Sequence, residues 1–283
     1  LNADLAMITG KIGKRGGEIN PLRGQNNVQG AANMGAQPHQ DAGYMDVTDL
    51  EMNRRYNSFY GAETPSHVGL KIPEMFDSAI AGDLKALWII GEDVVQTDPN
   101  TKKVIEAMES LELLVVQELF MTETAMRATV ILPGASFLEK DGTFTNGERR
   151  IQRVNQVVEP IPGCKPDGQI IDIMNKMGYA QPDYTAEGVL KEIAQIVPFF
   201  KGVVWDDLIE NGKQWPVLEG GKDTQMLHIE EFKNGKGQFS YFDFKGSQEL
   251  EKYSKDFPYI ITTNRELEHY NCGAMTRRTG NVE

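Results

Sequence analysis

The sequence is poor in the residues that build metal clusters and covalent staples. It holds two cysteines and four histidines in 283 residues. Cys164 and Cys272 stand far apart, neither sits in a C-x-x-C pair, and no Cys/His group has zinc spacing. That excludes a disulfide scaffold and a zinc module. It points to a reducing compartment, the cytoplasm, with the periplasm left open. His39, His67, His228 and His269 are scattered, so spacing assigns no metal ligand. No run of eighteen apolar residues and no signal-peptide pattern appears, so no membrane segment is expected. Basic residues are also short: 29 against 41 acidic ones, a formal net charge of -12. Such a balance argues against non-specific nucleic-acid binding and against an anionic membrane surface. There is no internal repeat, and no G-x-G-x-x-G fingerprint of a dinucleotide fold.

What remains is ordinary globular material, 40% hydrophobic and 25% charged, enough for one large domain or two smaller ones. The sequence opens at Leu1 inside "LNADLAMITGKIG", which predicts the end of an amphipathic helix with Leu1, Leu5 and Ile8 on one side and Gly10 or Gly13 as the stop. It closes in "MTRRTGNVE", and both ends are expected to be cuts in a longer chain. Residues 14–82 are rich in Gly, Asn, Gln, Pro and Met and lack periodicity, which predicts one long functional loop. From Leu84 the pattern becomes "LKALWIIGED", "NTKKVIEAMESL", "ELLVVQELF", "TETAMRA" and "TVILPGAS". Strand, helix, strand, short helix, strand predicts an α/β fold, Rossmann-like, with a mostly parallel sheet and flanking helices. Ligands bind such sheets at the carboxyl ends of the strands. Here those ends are Gly91-Glu92-Asp93, Gln117-Glu118 and Pro133-Gly134. "FLEKDGTFTNGERRIQRVNQVVEPIPG" predicts a small β excursion, and "QIIDIMNKMG" and "AEGVLKEIAQIV" predict helices. Beyond residue 200, "QMLHIEEF", "GQFSYFDF" and "YIITTNR" predict the strands of a β-rich start to a further domain.

One stretch stands apart. "RGQNNVQG", residues 23–30, sets an arginine beside four side-chain amides. Its plain reading is a polar loop held by Asx-type turns. Its functional reading is a ligand cradle, in which a guanidinium clamps a carboxylate and amides both donate and accept. "IIGEDVVQTDP" reads either as a strand end with helix caps or as acids that hold a nucleotide's hydroxyls or base edge. "KDGTFTNGERR" reads as a hairpin turn, or as Arg149, Arg150 and Arg153 meeting phosphates. "HYNCGAMTRRTGN" suits a phosphate or a polar ring system better than a core. Cys164 reads as structural.

In order and spacing these segments resemble the molybdopterin oxidoreductase superfamily, and within it the formate dehydrogenase catalytic (alpha) subunits. The resemblance covers nearly the whole chain. It is strongest in "TGKIGKRGGEINPLRGQNNVQGAANMG", then in "IIGEDVVQTDP", "VVQELFMTETAMRATVILPGASFLEKDGTFTNGERRIQ", "KPDGQIIDIM" and "HYNCGAMTRRT". It implies molybdopterin guanine dinucleotide around molybdenum or tungsten, and oxidation of formate to carbon dioxide. It implies that Arg23 holds or orients formate and that Gln25 contacts the pterin. It further implies that Asp93 and Thr97 take the guanosine end of a dinucleotide, with Gln117 at the next strand end. Asp167 matches a cofactor-contacting acid, and His269, Tyr270, Met275 and Thr276 begin C-terminal cofactor loops. The domain division it implies is 1–24 as the end of a preceding domain, 25–200 as the cofactor-binding α/β domain with its β excursion at about 137–165, and 201–283 as a connector and the start of a C-terminal cofactor domain.

The family's cysteine-rich 4Fe-4S motif and its cysteine or selenocysteine metal ligand are not in this sequence, and Cys164 and Cys272 lie in the wrong motifs to serve. Ala32 and Asn33 stand where cysteine or serine and aspartate are more usual. The expected partners are therefore formate, the rest of the same chain, and iron–sulfur or diaphorase-type electron-transfer subunits. The 283 residues alone are expected to bind no cofactor and to be inactive. Two other classes stay open: a molybdopterin subunit of a respiratory-complex or nitrate-reductase type, and a non-catalytic structural relative.

Overall fold

A computed structural model describes residues 1–180, 182–243, 255–256, 258–262, 264–269 and 271–280. The chain gathers into two compact units. One holds Leu1–Pro21 and Gln225–His269, the other Leu22–Thr224 and Tyr270–Glu283.

In the first unit the expected helix forms as α1 (Asn2–Ile8) and stops at Thr9 with Gly10 at φ +63°. Its apolar side is not buried: Leu1, Leu5 and Ile8 are all exposed. The strands expected in 225–232, 237–244 and 259–265 do not form among the described residues. One isolated bridge, Phe232 to Gly235, is found there. A strand needs a neighbour for its backbone groups and a covered face for its side chains. Tyr241, Tyr259 and Ile261 are 86–92% exposed, so these side chains of the second and third runs are not covered. Phe244 and Thr263 in those runs lie outside the described residues.

The second unit carries the sheet. Residues 14–82 are not one loop; the amide-rich sequence hides three helices. These are α2 (Val28–Asn33), α3 (Leu50–Tyr60) and α4 (Ile72–Ile80), with a two-residue pair, β1 (Gln40–Asp41) and β2 (Met45–Asp46). The periodicity was absent because α2 turns Gln29, Gly30 and Asn33 inward instead of an apolar stripe. α3 buries Asn53 and Tyr56. Its ends follow the rules even so. The Asp49 carboxylate accepts from the N–H groups of Glu51 (2.9 Å) and Met52 (3.2 Å), and Gly61 closes the helix at φ +63°.

The predicted α/β order then appears: β3 (Ala86–Ile90), α5 (Val94–Thr97), α6 (Thr101–Glu109), β4 (Leu113–Glu118), a 3-10 turn at Ala125–Arg127, and β5 (Val130–Pro133). The three strands pair in parallel in sequence order. Asn100, not Asp98, caps α6, its side chain accepting from Lys103 N. Val104 and Ala107 of α6 pack with Leu114, Val116, Ile89 and Phe76 as a wholly apolar core. Burial of that kind contributes roughly 25 cal/mol per Å² of apolar area, and it holds the strand ends in place.

The β excursion is a hairpin, β6 (Gly142–Thr145) and β7 (Arg150–Val154). Past the short helices α7 (Asp167–Ile171) and α8 (Ile173–Lys176) and the longer α9 (Ala186–Ile196), β8 (Lys213–Gln214) pairs with β7, so this sheet draws on residues well beyond 165. A second core of Tyr56, Ile151, Leu190, Phe200, Trp205 and Val217 lies beneath it. Three hairpin arginines serve this local structure. Arg149 bonds the carbonyls of Trp215 and Thr224, Arg150 reaches Glu148 (2.8 Å), and Arg153 lies 4.6 Å over the Trp205 ring.

Candidate functional site

At the end of β3 the chain turns through Gly91, whose φ of +64° suits glycine and opens the strand end outward. Beside it lies a cleft of about 280 Å³. Its polar wall is Gln25, Asn26, Glu92, Asp93 and Glu118; Cys272 and Met275 close another side. Three sequence expectations meet here: Gln25, Asp93 and Met275. So do the amide-rich run and two of the three strand ends.

Asp93 is 1% exposed and fully engaged. It accepts from Thr124 N (3.1 Å) and Thr124 Oγ1 (2.7 Å), and from Arg278 Nη2 (3.0 Å). Thr124 in turn accepts from Val95 N (3.1 Å), which locks the start of α5 to the β4–β5 connection. The Thr97 hydroxyl donates to Glu92 (2.9 Å), which lines the cleft beside Asp93. Burial pushes the Glu118 carboxyl above its ordinary value, reinforced by Asp93 and Glu92 and opposed by the Leu119 N–H.

Gln117 and Asp167 form a second polar centre. Lys165 hydrogen-bonds beside the end of β5, where Lys165 N donates to Pro133 O (3.1 Å) and Ala135 N to Lys165 O (2.9 Å). This brings α7 against the sheet. Gln117 Nε2 then donates to Asp167 Oδ1 (2.7 Å), and Lys140 pairs with the other carboxylate oxygen. Among the described residues, Gln117 Oε1 is buried without a partner, as are both amide atoms of Asn33.

Arg23 is exposed at the start of its run. Its Nε and Nη2 donate to Gln29 Oε1 at 3.1 and 3.0 Å. The run is tied to the hairpin by Thr145 N donating to Asn27 Oδ1 (2.9 Å). Gly30 permits this, because a Cβ there would meet Asn27 Oδ1 at 2.1 Å. Arg23, Thr97, Gln117 and Asp167 do not line the cleft. His269 belongs to the other unit, 3.5 Å from Glu266, and Thr276 heads the 3-10 turn after Met275 without lining the cleft. Tyr270 lies outside the described residues. Sequence reasoning missed Thr124, Gln29, Tyr44 and Arg278 as named participants. Gln29 had a signal in its place among the four amides of residues 23–30. Among the described residues, no three His, Cys, Asp or Glu side chains gather as a metal site, and no helix is long and apolar enough to cross a membrane.

The molybdopterin oxidoreductase family model matches residues 2–176, more than half of the chain. The chain belongs to the molybdopterin oxidoreductase family. It is 41% identical over 283 residues to the F420-dependent formate dehydrogenase subunit alpha of Methanocaldococcus jannaschii, covering 99% of this chain and 42% of that protein. Against formate dehydrogenase H of Escherichia coli it is 38% identical over 278 residues, covering 96% of this chain and 39% of that protein. The chain thus spans about two-fifths of the length of these relatives. Acetylene hydratase from Pelobacter acetylenicus aligns at a TM-score of 0.44 and 19% identity, over 57% of this chain and 23% of that one.

The residues present fit the family's cofactor. A pterin offers ring N–H and amine donors beside carbonyl and ring-nitrogen acceptors. The cleft offers carboxylates to accept from the donors and amides to serve both. The unpartnered Gln117 Oε1 and Asn33 amide are buried polar groups of the kind that a native site satisfies.

Proposed function

We propose that this chain is part of the catalytic subunit of a formate dehydrogenase, and that its strand-end cleft holds molybdopterin guanine dinucleotide beside a formate site at Arg23. The observation that carries this reading is the meeting of the "RGQNNVQG" run with the strand-end acids around one cleft. The roughly 40% identity to formate dehydrogenase alpha subunits supports it.

Gln25 and Asn26 would hold the pterin edge, and Glu92, with Thr97 behind it, the guanosine end. Asp93 would shape that end through Thr124 and Arg278, Gln117 with Asp167 would close the next strand end, and Met275 and Thr276 would begin a covering loop. When bound, the molybdenum- or tungsten-carrying pterin supplies the acceptor for the two electrons released as formate becomes carbon dioxide and a proton. Arg23 would place the formate carboxylate and offset its charge until the C–H bond breaks. Iron–sulfur clusters and an iron–sulfur or diaphorase-type subunit would carry the electrons away, in the cytoplasm or else the periplasm. The 283 residues by themselves would neither retain the metal nor turn over formate.

The test is the purified holoenzyme, offered formate, nitrate and a sulfoxide in turn. Formate alone should support dye reduction. Arg23→Ala should lower kcat/KM for formate about a hundredfold with pterin content intact, the cost typical of a lost charge-stabilising donor. Turnover of nitrate or sulfoxide without formate activity would refute the reading.

A further inference from the structure

A buried partner for arginine is usually a carboxylate, because the pair cancels charge where water is scarce. Arg23 departs from this. Its buried partner is Gln29, 6% exposed, whose single Oε1 receives both Nε and Nη2. Among the described residues Arg23 makes no ion pair. We propose that Gln29 is the residue that sets the site's preference for a small carboxylate anion, by fixing the Arg23 guanidinium through a neutral oxygen that leaves its positive charge uncancelled. This rests on the reading of Arg23 as the formate-holding group.

The geometry makes the arrangement one-way. The guanidinium has only donors, so the Gln29 oxygen must face it and the Gln29 amine must face away. That amine donates to Tyr44 Oη. The Tyr44 ring is itself held, with the Phe199 centroid at 6.1 Å and the Trp215 centroid at 6.4 Å. The chain from aromatic pair to phenol to amide to guanidinium is therefore fixed at its far end. Gln29 occupies the Nε/Nη2 edge of Arg23 and leaves the Nη1/Nη2 end, a fork matched to a carboxylate. Burial keeps Tyr44 protonated, its pKa raised above the ordinary phenol value, so the phenol adds no negative charge beside Arg23.

Gln29→Glu separates charge from shape. The carboxylate accepts the same two bonds from Arg23, and the Tyr44 hydroxyl can turn to donate to it. In the cofactor-loaded enzyme, KM for formate and the inhibition constant of nitrate, a planar monoanion, should both rise about tenfold to a hundredfold, the worth of a charged hydrogen bond. kcat, pterin content and Tm should change little. Wild-type values of KM and of nitrate inhibition in Gln29→Glu would overturn the proposal. Arg23→Lys, assayed alongside, separates the two ideas. If it leaves formate kinetics untouched, the formate reading fails; if it impairs them while Gln29→Glu does not, only the role of Gln29 fails. Should Gln29→Glu not load cofactor, Tyr44→Phe keeps the ring stack and removes the acceptor. A severalfold rise in KM supports the relay, and an unchanged KM overturns it.

Discussion

Arg23 and Arg278 are opposite solutions for a cation near one cleft. Arg23 meets a neutral amide, whereas Arg278 meets the buried Asp93 at 3.0 Å and also donates from Nε to Ala274 O (3.0 Å). The second arrangement is structural, since it ties residues 271–280 to the end of β3. Removing one member of a buried pair leaves the other charge uncompensated. Thr124 retains two hydrogen bonds to Asp93, and Arg278 is 27% exposed at its side chain, so the loss is moderated. Arg278→Ala should cost about 2 kcal/mol, at the low side of such deletions, and should speed proteolysis within 271–280. Unchanged proteolysis there would show that the contact holds nothing. At this scale the sequence displayed Asp93 and Gln117 as strand-end polar residues, and Asp167 only through the family resemblance. It could not display Thr124 and Arg278, whose roles depend on contacts 31 and 185 residues away.

Among elements, β3, β5, α6 and α9 were legible because each has an apolar pattern with a glycine, asparagine or threonine signal at its end, and β4 by its apolar run. α2 and α3 were hidden by polar residues that face inward, although Asp49 and Gly61 bracket α3 as a cap and a stop; α4 buries apolar Phe76 and Ala79. The C-terminal runs misled in the reverse direction, since alternation without a neighbouring strand makes no sheet. The Asp49 cap is the part of α3 that can be tested in isolation. Asp49→Ala should lower stability by about 1 kcal/mol, read as a shift in the urea midpoint with the slope unchanged. No shift would mean that Tyr56 and its core neighbours alone set α3.

For the molecule as a whole, an acidic balance of -12 coexists with a cleft whose acids crowd each other. Burial, reinforced by Asp93 and Glu92, raises the Glu118 pKa. A carboxyl raised by folding binds its proton more tightly in the folded state. Its contribution to stability is therefore full below the ordinary carboxylate value and is lost as pH rises through the raised one. In cofactor-free protein, Glu118→Gln should raise Tm at neutral pH, and the gain should vanish in acid below the ordinary carboxylate range. A gain that persists there would assign the effect to packing instead.

The most direct measurement is the structure of the cofactor-loaded enzyme with formate or nitrate in place. Gln25 should lie within hydrogen-bond distance of the pterin ring system, with the free Nη1/Nη2 end of Arg23 on the anion and Gln29 still behind it. A cofactor bound elsewhere, with residues 23–30 facing only water, would contradict the account.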